Sequence, residues 1–482
     1  LDWTNFSLLL PFKQQHINPR LGSIFIATKY FDKIFLDEYK KFMTSSLLIR
    51  NGQVIVGDPP QVVNQDVLIT AGRIVTIGHS LVVDPETIIL DATDKLVSPG
   101  FIQTHIHLCQ TLFRGAADDL ALLDWLKLRI WPLEAAHDPD SISAAAELAI
   151  AEMIKGGTTA ALTMETVHHT AAVLQTVART GFRATVGKCM MDKGDDVPSG
   201  LQETTDSSLT EVMTLREQWP LDHPLVRVCF APRFAVSCTT ALLQEVAQLA
   251  TQQAMLVHTH ASENRDEVAL VAQTTGQRNV CYLERVGLTG PHLALAHCVH
   301  VDATEQEILA RSGTQVLHCP SSNLKLGSGI APIYQMLQAG IAVSLGADGA
   351  ACNNNLDIFA EMRLAALLQK ALHGAEVLPA ATVFRCATLA GAQALGLERE
   401  LGSIEVGKRA DIVIINLQQL HCTPAPDPLT TLVYAARSSD VETVIIEGQI
   451  VMQNRQLLTL DEHQVMANAQ QQWQKLLQRA GL

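Results

Sequence analysis

Pro99-Gly100-Phe101-Ile102-Gln103-Thr104-His105-Ile106-His107 decides how this chain is read. It has the form of a buried apolar strand that ends in two histidines one residue apart. Side chains alternate faces along a strand, so His105 and His107 point the same way and are placed to share one metal ion. The pair alone is weak, because H-x-H also occurs by chance. Residues far downstream give it meaning.

Outward from Phe101 the chain alternates between strand and helix patterns. Candidate strands are Phe101–His107, Thr158–Met164, Ala184–Met190, Val226–Phe230, Met255–His260, Leu293–His297, Thr314–His318 and Ala342–Ala347. Helical periodicity fills Ser141–Lys155, His169–Thr180, Thr239–Thr251, Glu305–Ser312 and Pro332–Ala339. Eight strands alternating with helices predict an α/β fold, a (β/α)8 TIM-type barrel over residues 98–400. The alternative is a doubly wound open sheet, but no Gly-rich phosphate loop follows the first strand.

Short β-like runs flank the barrel. Before it stand Leu47–Arg50, Gln53–Val56, Asp66–Thr70, Arg73–Ile77 and Thr87–Ala92; after it stand Ala410–Ile415, Val441–Glu447 and Gln449–Met452. Residues 43–97 and 401–460 are therefore expected to form one small composite β-sandwich domain built from both chain ends, the alternative being two separate hairpins. Residues 461–482 read as an amphipathic, Gln-rich helix. Residues 1–42 lack clear periodicity and read as an N-terminal extension, either a genuine arm or, as favoured here, translated sequence upstream of a true start at Met43.

The chain has 482 residues, 48% hydrophobic and 17% charged, enough for a large core. A formal net charge of −14 argues against a nucleic-acid or anionic-membrane surface. No apolar stretch approaches the ~20 residues a membrane helix needs. The ten cysteines are scattered without a C-x-x-C pair. They fit reduced thiols and a cytoplasmic protein better than a disulfide framework.

In a barrel of this kind the chemistry sits at the C-terminal ends of the strands. The first strand ends in His105 and His107, the fifth in His258-Thr259-His260-Ala261-Ser262-Glu263, the sixth in His297-Cys298-Val299-His300, and the eighth in Asp348. Imidazoles plus a carboxylate suit a borderline divalent ion such as zinc, with ferrous iron as the alternative. Such an ion lowers the pKa of water toward neutrality. Glu263, three positions after His260, can reach that water without being a ligand, as hydrolytic attack on a polarised ring carbon requires.

The segments PGFIQTHIH, HTHASENRDEV, LAHCVH, HCPSSNLKLGSGIAP and GADGAACNNNLD, in this order, resemble the metal-dependent aminohydrolase branch of the amidohydrolase superfamily. The resemblance implies one divalent metal held by His105, His107, His260 and Asp348. It implies Glu263 as proton shuttle, His297 as polarising donor, and Asp348 also as base toward water. It also implies a small heterocyclic substrate and a homo-oligomer. Lys188 invites comparison with the carboxylated lysine of two-metal relatives, but His260 and Glu263 suit the one-metal branch, leaving Lys188 as a pocket or structural residue. The H-x-E with P-C-x-x-C signature of cytidine-type deaminases is absent.

The substrate motifs divide. Gln110, Arg233 and Phe234 resemble guanine deaminase, where amide and guanidinium would bond ring acceptors, and a guanine-type free base is the first expectation. Trp131 and Glu134, within Trp131-Pro132-Leu133-Glu134, resemble adenosylhomocysteine and methylthioadenosine deaminases, where the Glu134 position contacts ribose hydroxyls. A 5′-deoxyadenosine, methylthioadenosine or adenosylhomocysteine deaminase is the alternative. A triazine hydrolase or a catalytically silent metal-binding scaffold follows behind. His168 and His169 are expected in a strand-end loop. Cys298, His300, His318 and Asn323 are expected to shape loops behind the site.

Overall fold

A computed structural model describes residues 46–194 and 196–482; the expectation for residues 1–42 falls outside them. Eight parallel strands follow one another in chain order: β1 (Phe101–Ile106), β2 (Thr158–Met164), β3 (Arg183–Met190), β4 (Val226–Pro232), β5 (Val257–Ala261), β6 (Leu293–His297), β7 (Gln315–His318) and β8 (Val343–Leu345). Every residue of β1, β2, β3 and β6 is buried, as strands packed on both faces require. The last strand returns to the first. Thr104 Oγ1 donates to Leu345 O at 3.0 Å, and Asp348 N–H donates to His105 O at 2.9 Å. Gly346 permits this approach, because a Cβ there would lie 2.6 Å from His105 N. The expected strand Ala342–Ala347 shortens to β8 for the same reason: its end turns across the seam to β1.

Helices fill the crossovers and begin where the sequence supplies caps. Asp138 accepts from Ser141 N–H and opens the helix Pro139–Lys155, while Asp302 and Glu305 form a reciprocal capping box for Ala303–Ser312.

The second sheet takes strands from both ends of the chain. Ser46–Val56, Gln61–Thr70, Arg73–Gly78, Ile88–Asp91 and Leu96–Pro99 precede the barrel; Ile412–Ile415, Val441–Ile446, Gln449–Gln453 and Gln456–Leu457 follow it. The joint is the antiparallel pair of Leu96–Pro99 with Ile412–Ile415, which rules out two separate hairpins. Alternation then assigns the faces. Ile412 and Ile414 pack with Leu47, Ile49, Val54 and Val97, whereas Val413 and Ile415 join the core that runs on into the barrel. Leu47–Arg50 and Gln53–Val56, expected as two runs, are one strand interrupted by a register shift at Asn51, whose φ is 64°. Buried Arg183 on β3 clamps the two parts together, with Asp411 at 2.8 Å and Glu447 at 2.6 Å.

The helix Glu462–Ala480 buries Val465, Ala469 and Leu476, and Arg479 Nε donates to Ala136 O at 2.7 Å. Among the described residues no helix is long and apolar enough to cross a membrane. All ten cysteines are free thiols, and all but Cys281 are buried.

Candidate metal and active site

The ends of β1, β5, β6 and β8 meet at one rim, where the backbone is strained. Ser262, His297, Cys298 and Asp348 all adopt positive φ, at 54°, 73°, 48° and 64°. Each costs about 1–3 kcal/mol for a residue with a Cβ, and such outliers gather where function over-determines the backbone.

Hydrogen bonds fix the direction of the imidazoles. His107 Nδ1 lies 2.8 Å from Met164 O, and His260 Nδ1 lies 2.6 Å from Arg233 O. A carbonyl only accepts, so both rings carry their proton on Nδ1 and leave Nε2 bare. Those two bare Nε2 atoms face each other at 3.3 Å. Two lone pairs at that distance repel, and a cation between them removes the conflict. His105 Nε2 is also buried without a partner. It lies 3.4 Å from Asp348 Oδ1, and His107 Nε2 lies 3.3 Å from the same oxygen. Burial drives the His105 and His260 pKa values down and that of His107 to about 3, which keeps the rings neutral, the form that binds metal. The donor set fits a divalent ion on geometry and protonation alike. Ser322 Oγ and Gly349 N–H each donate to an Asp348 carboxylate oxygen at 2.7 Å and hold it in place.

His297 Nε2 stands 3.6 Å from Glu263 Oε2 and 3.8 Å from Asp348 Oδ2, while its Nδ1 faces Asn323 Oδ1 at 2.9 Å. Burial raises the pKa of Glu263, so this carboxyl takes up a proton more readily than an exposed one. The arrangement can activate water, shuttle a proton and polarise a developing oxyanion.

A cavity opens over this cluster. Gln110, Arg233, Phe234, Glu263 and Glu267 line it, with Leu122, Trp125, Leu126 and Leu326 as an apolar wall. Trp131 and Glu134 are buried but do not belong to the lining. Trp125 supplies the tryptophan on that wall, a correction to the expectation for Trp131. Glu134, expected to reach ribose hydroxyls, is also corrected: it lies off the lining, pairs with Arg233 at 2.5 Å and 3.2 Å and accepts from Gln110 Nε2 at 2.9 Å. Burial opposes the Arg233 charge, but Glu134 outweighs it and holds the guanidinium ionised. The expectation that amide and guanidinium both donate to ring acceptors is therefore altered. The Gln110 nitrogen is engaged, and its Oε1, buried without a partner, is the free atom.

The other expected residues sort by their contacts. Lys188 is buried against Glu203 and Ser208, with Glu211 at 3.7 Å, so it is structural and does not line the cavity. His168 is exposed, His169 precedes the helix Thr170–Thr180, and neither lines the cavity. His300 Nε2 donates to Ser328 O at 2.7 Å and shapes its loop. A second group of possible ligands, His421, Cys422 and Asp440, lies apart from this rim. There Asp440 Oδ2 already accepts from His421 Nε2 and Arg437 N–H, both at 2.8 Å, which accounts for the cluster as a turn cap. Sequence reasoning missed Leu122, Trp125 and Leu126, because the π turn at Leu126–Ile130 breaks the regular helical spacing that would say which face meets the cavity.

The model of the amidohydrolase family matches residues 96–451. Over 428 residues the chain is 40% identical to the 5-methylthioadenosine/S-adenosylhomocysteine deaminase of Syntrophobacter fumaroxidans, covering 88% of this chain and 96% of that one. It is also 40% identical to the 5′-deoxyadenosine deaminase of Methanothermobacter thermautotrophicus, covering 88% and 97%. Among solved structures, an adenosine deaminase from Xanthomonas campestris with bound zinc superposes with a TM-score of 0.85 at 36% identity, covering 90% and 99%. A guanine deaminase from C. acetobutylicum with bound guanine is more distant, with a TM-score of 0.77 and 26% identity, covering 84% and 100%.

Proposed function

Since the chain belongs to the amidohydrolase family and is a hydrolase of carbon–nitrogen bonds other than peptide bonds, we propose that it deaminates an adenine nucleoside whose 5′ position is deoxy, methylthio or homocysteinyl. Water replaces the exocyclic amine, and ammonia leaves. The observation that carries the reaction is the set of bare Nε2 atoms of His105, His107 and His260 beside the Asp348 carboxylate. These four residues would hold one divalent ion, proposed as zinc. When bound, the ion supplies Lewis-acid activation of water.

The remaining steps belong to the side chains. Glu263 takes the proton of the attacking water and delivers it to the ring nitrogen beside the departing amine; its burial suits a group that must hold a proton between two transfers. Asp348 takes the second proton, from the hydroxyl once it has added to the ring carbon, and passes it to the amine, which leaves as ammonia. With the Asn323 amide turned so that its nitrogen, otherwise buried without a partner, donates to His297 Nδ1, the His297 proton sits on Nε2, which stabilises the oxygen that adds to the ring carbon.

The guanine-type reading gives way to the nucleoside reading on the names of the relatives, which are adenine-nucleoside names at 40% identity, against 26% for guanine deaminase. The Arg233–Glu134 pair does not separate the two readings: it ties the guanidinium expected at a guanine edge and equally the carboxylate expected at the ribose hydroxyls. The wall of Leu122, Trp125, Leu126 and Leu326 offers apolar surface to a 5′-deoxy or methylthio end.

An ammonia-release screen of 5′-deoxyadenosine, methylthioadenosine, adenosylhomocysteine, guanine and 8-oxoguanine tests the reading. The nucleosides should have the higher kcat/KM; faster turnover of either free base would overturn it.

A further inference from the structure

We propose that His258 is a positioning residue that sets which nitrogen of His105 faces the ion, by relaying a hydrogen bond from the Thr163 carbonyl. The inference rests on the ligand role proposed above for His105. His258 lies on β5, two residues before His260, is fully buried, and does not line the cavity.

Its two ring nitrogens face different partners. Nδ1 is 3.3 Å from Thr163 O on β2, and Nε2 is 2.7 Å from His105 Nδ1 on β1. The two rings meet nearly at right angles, 89°, with centroids 4.8 Å apart. An uncharged imidazole has one proton, and the carbonyl of Thr163 can only accept. The His258 proton is therefore on Nδ1, and its Nε2 is an acceptor. His105 must donate its Nδ1–H to that acceptor, which leaves His105 Nε2 bare, the atom that is buried without a partner beside Asp348. His107 and His260 reach the same state through one backbone carbonyl each, Met164 O and Arg233 O. In His105 the Nδ1 partner is another imidazole, and β2 supplies the relay from the carbonyl next in sequence to the one that orients His107. Partners of this kind fix the ligand's tautomer and ring angle.

The test replaces His258 and reads metal affinity by competition with a chromogenic chelator, independent of turnover. His258→Leu removes the acceptor and should weaken zinc binding by about 10- to 100-fold. His258→Gln, which can place an amide oxygen near the Nε2 position, should stay close to the wild type. Histidine 15N NMR of the wild-type, metal-loaded protein should show His105 in the Nδ1–H form, a readout that stands even where His258→Leu fails to fold. A folded His258→Leu protein with wild-type affinity, equal losses in the Leu and Gln variants, or His105 in the Nε2–H form would each overturn the relay. Unchanged affinity in His105→Ala would overturn the ligand assignment itself.

Discussion

Glu263 and Glu165 are both buried carboxyls with raised pKa values, and they differ in what they face. Glu263 lines the cavity beside His297. Glu263→Gln keeps the shape and loses the proton carrier, so it should retain the wild-type metal content while its rate of ammonia release falls by about 10²–10⁴-fold. Elemental analysis and steady-state rates check this, and a near-normal rate would remove Glu263 from the mechanism. Glu165 sits just beyond β2, outside the cavity, where Oε2 accepts from Cys109 N–H at 3.0 Å and Oε1 has no partner. Burial lifts its pKa to about 7. A raised carboxyl works opposite to a salt-bridged one: between its unfolded value and about pH 7 the native state holds a proton that the unfolded state has released. Wild-type stability from this group is thus greatest below the ordinary glutamate range, falls as pH rises toward 7, and is lower by about 3 kcal/mol above it. Glu165→Gln removes the titration and keeps an acceptor for Cys109. Its urea midpoint relative to the wild type should climb with pH across that window and level off on either side; parallel pH profiles would show that the carboxyl is already ionised in the fold.

At the scale of elements the seam between β1 and β8 concentrates structure and chemistry in one place. A methyl at Gly346 would lie 2.6 Å from His105 N and 2.7 Å from His105 O, so the backbone that carries a proposed ligand would have to move. Gly346→Ala should therefore lose metal before it loses helix. Far-UV circular dichroism should stay near the wild type while zinc stoichiometry drops, and full metal occupancy would show that the seam yields elsewhere. Much of this was readable beforehand. The buried apolar run into His105 and His107, and the polar residues closing β5, β6 and β8, mark strand ends without coordinates. Three features were not readable, each for a physical reason. The Glu134–Arg233 pair joins residues on unrelated elements, and no local pattern announces a long-range ion pair. Trp125 and Trp131 are six residues apart with a π turn at Leu126–Ile130 between them, so composition alone could not say which one faces the cavity. His258 reads from sequence as one more strand histidine, because its role depends on two distances to neighbouring strands.

The whole molecule couples the metal rim to a sheet built from both chain ends. Val413, Ile415, Val441 and Val444 of that sheet belong to the same core as β1 through β6, and Arg183 is buried between Asp411 and Glu447 at the opposite end of β3 from Met190. Removing one member of a buried ion pair costs about 3–5 kcal/mol, so the sheet cannot detach from the barrel without a large penalty. Barrel and sheet should then unfold together, and an ion bound only by the folded rim should stabilise both. At a free zinc concentration of about 100 times Kd the gain is about 2.7 kcal/mol. Thermal unfolding followed by tryptophan fluorescence, with Trp125 on the cavity wall, should coincide with unfolding followed by far-UV circular dichroism. Chelation should lower both midpoints by the same amount. If chelation moved the fluorescence transition alone, the rim would melt as a separate unit, and the continuous core would not be what transmits the ion's stabilisation to the chain ends.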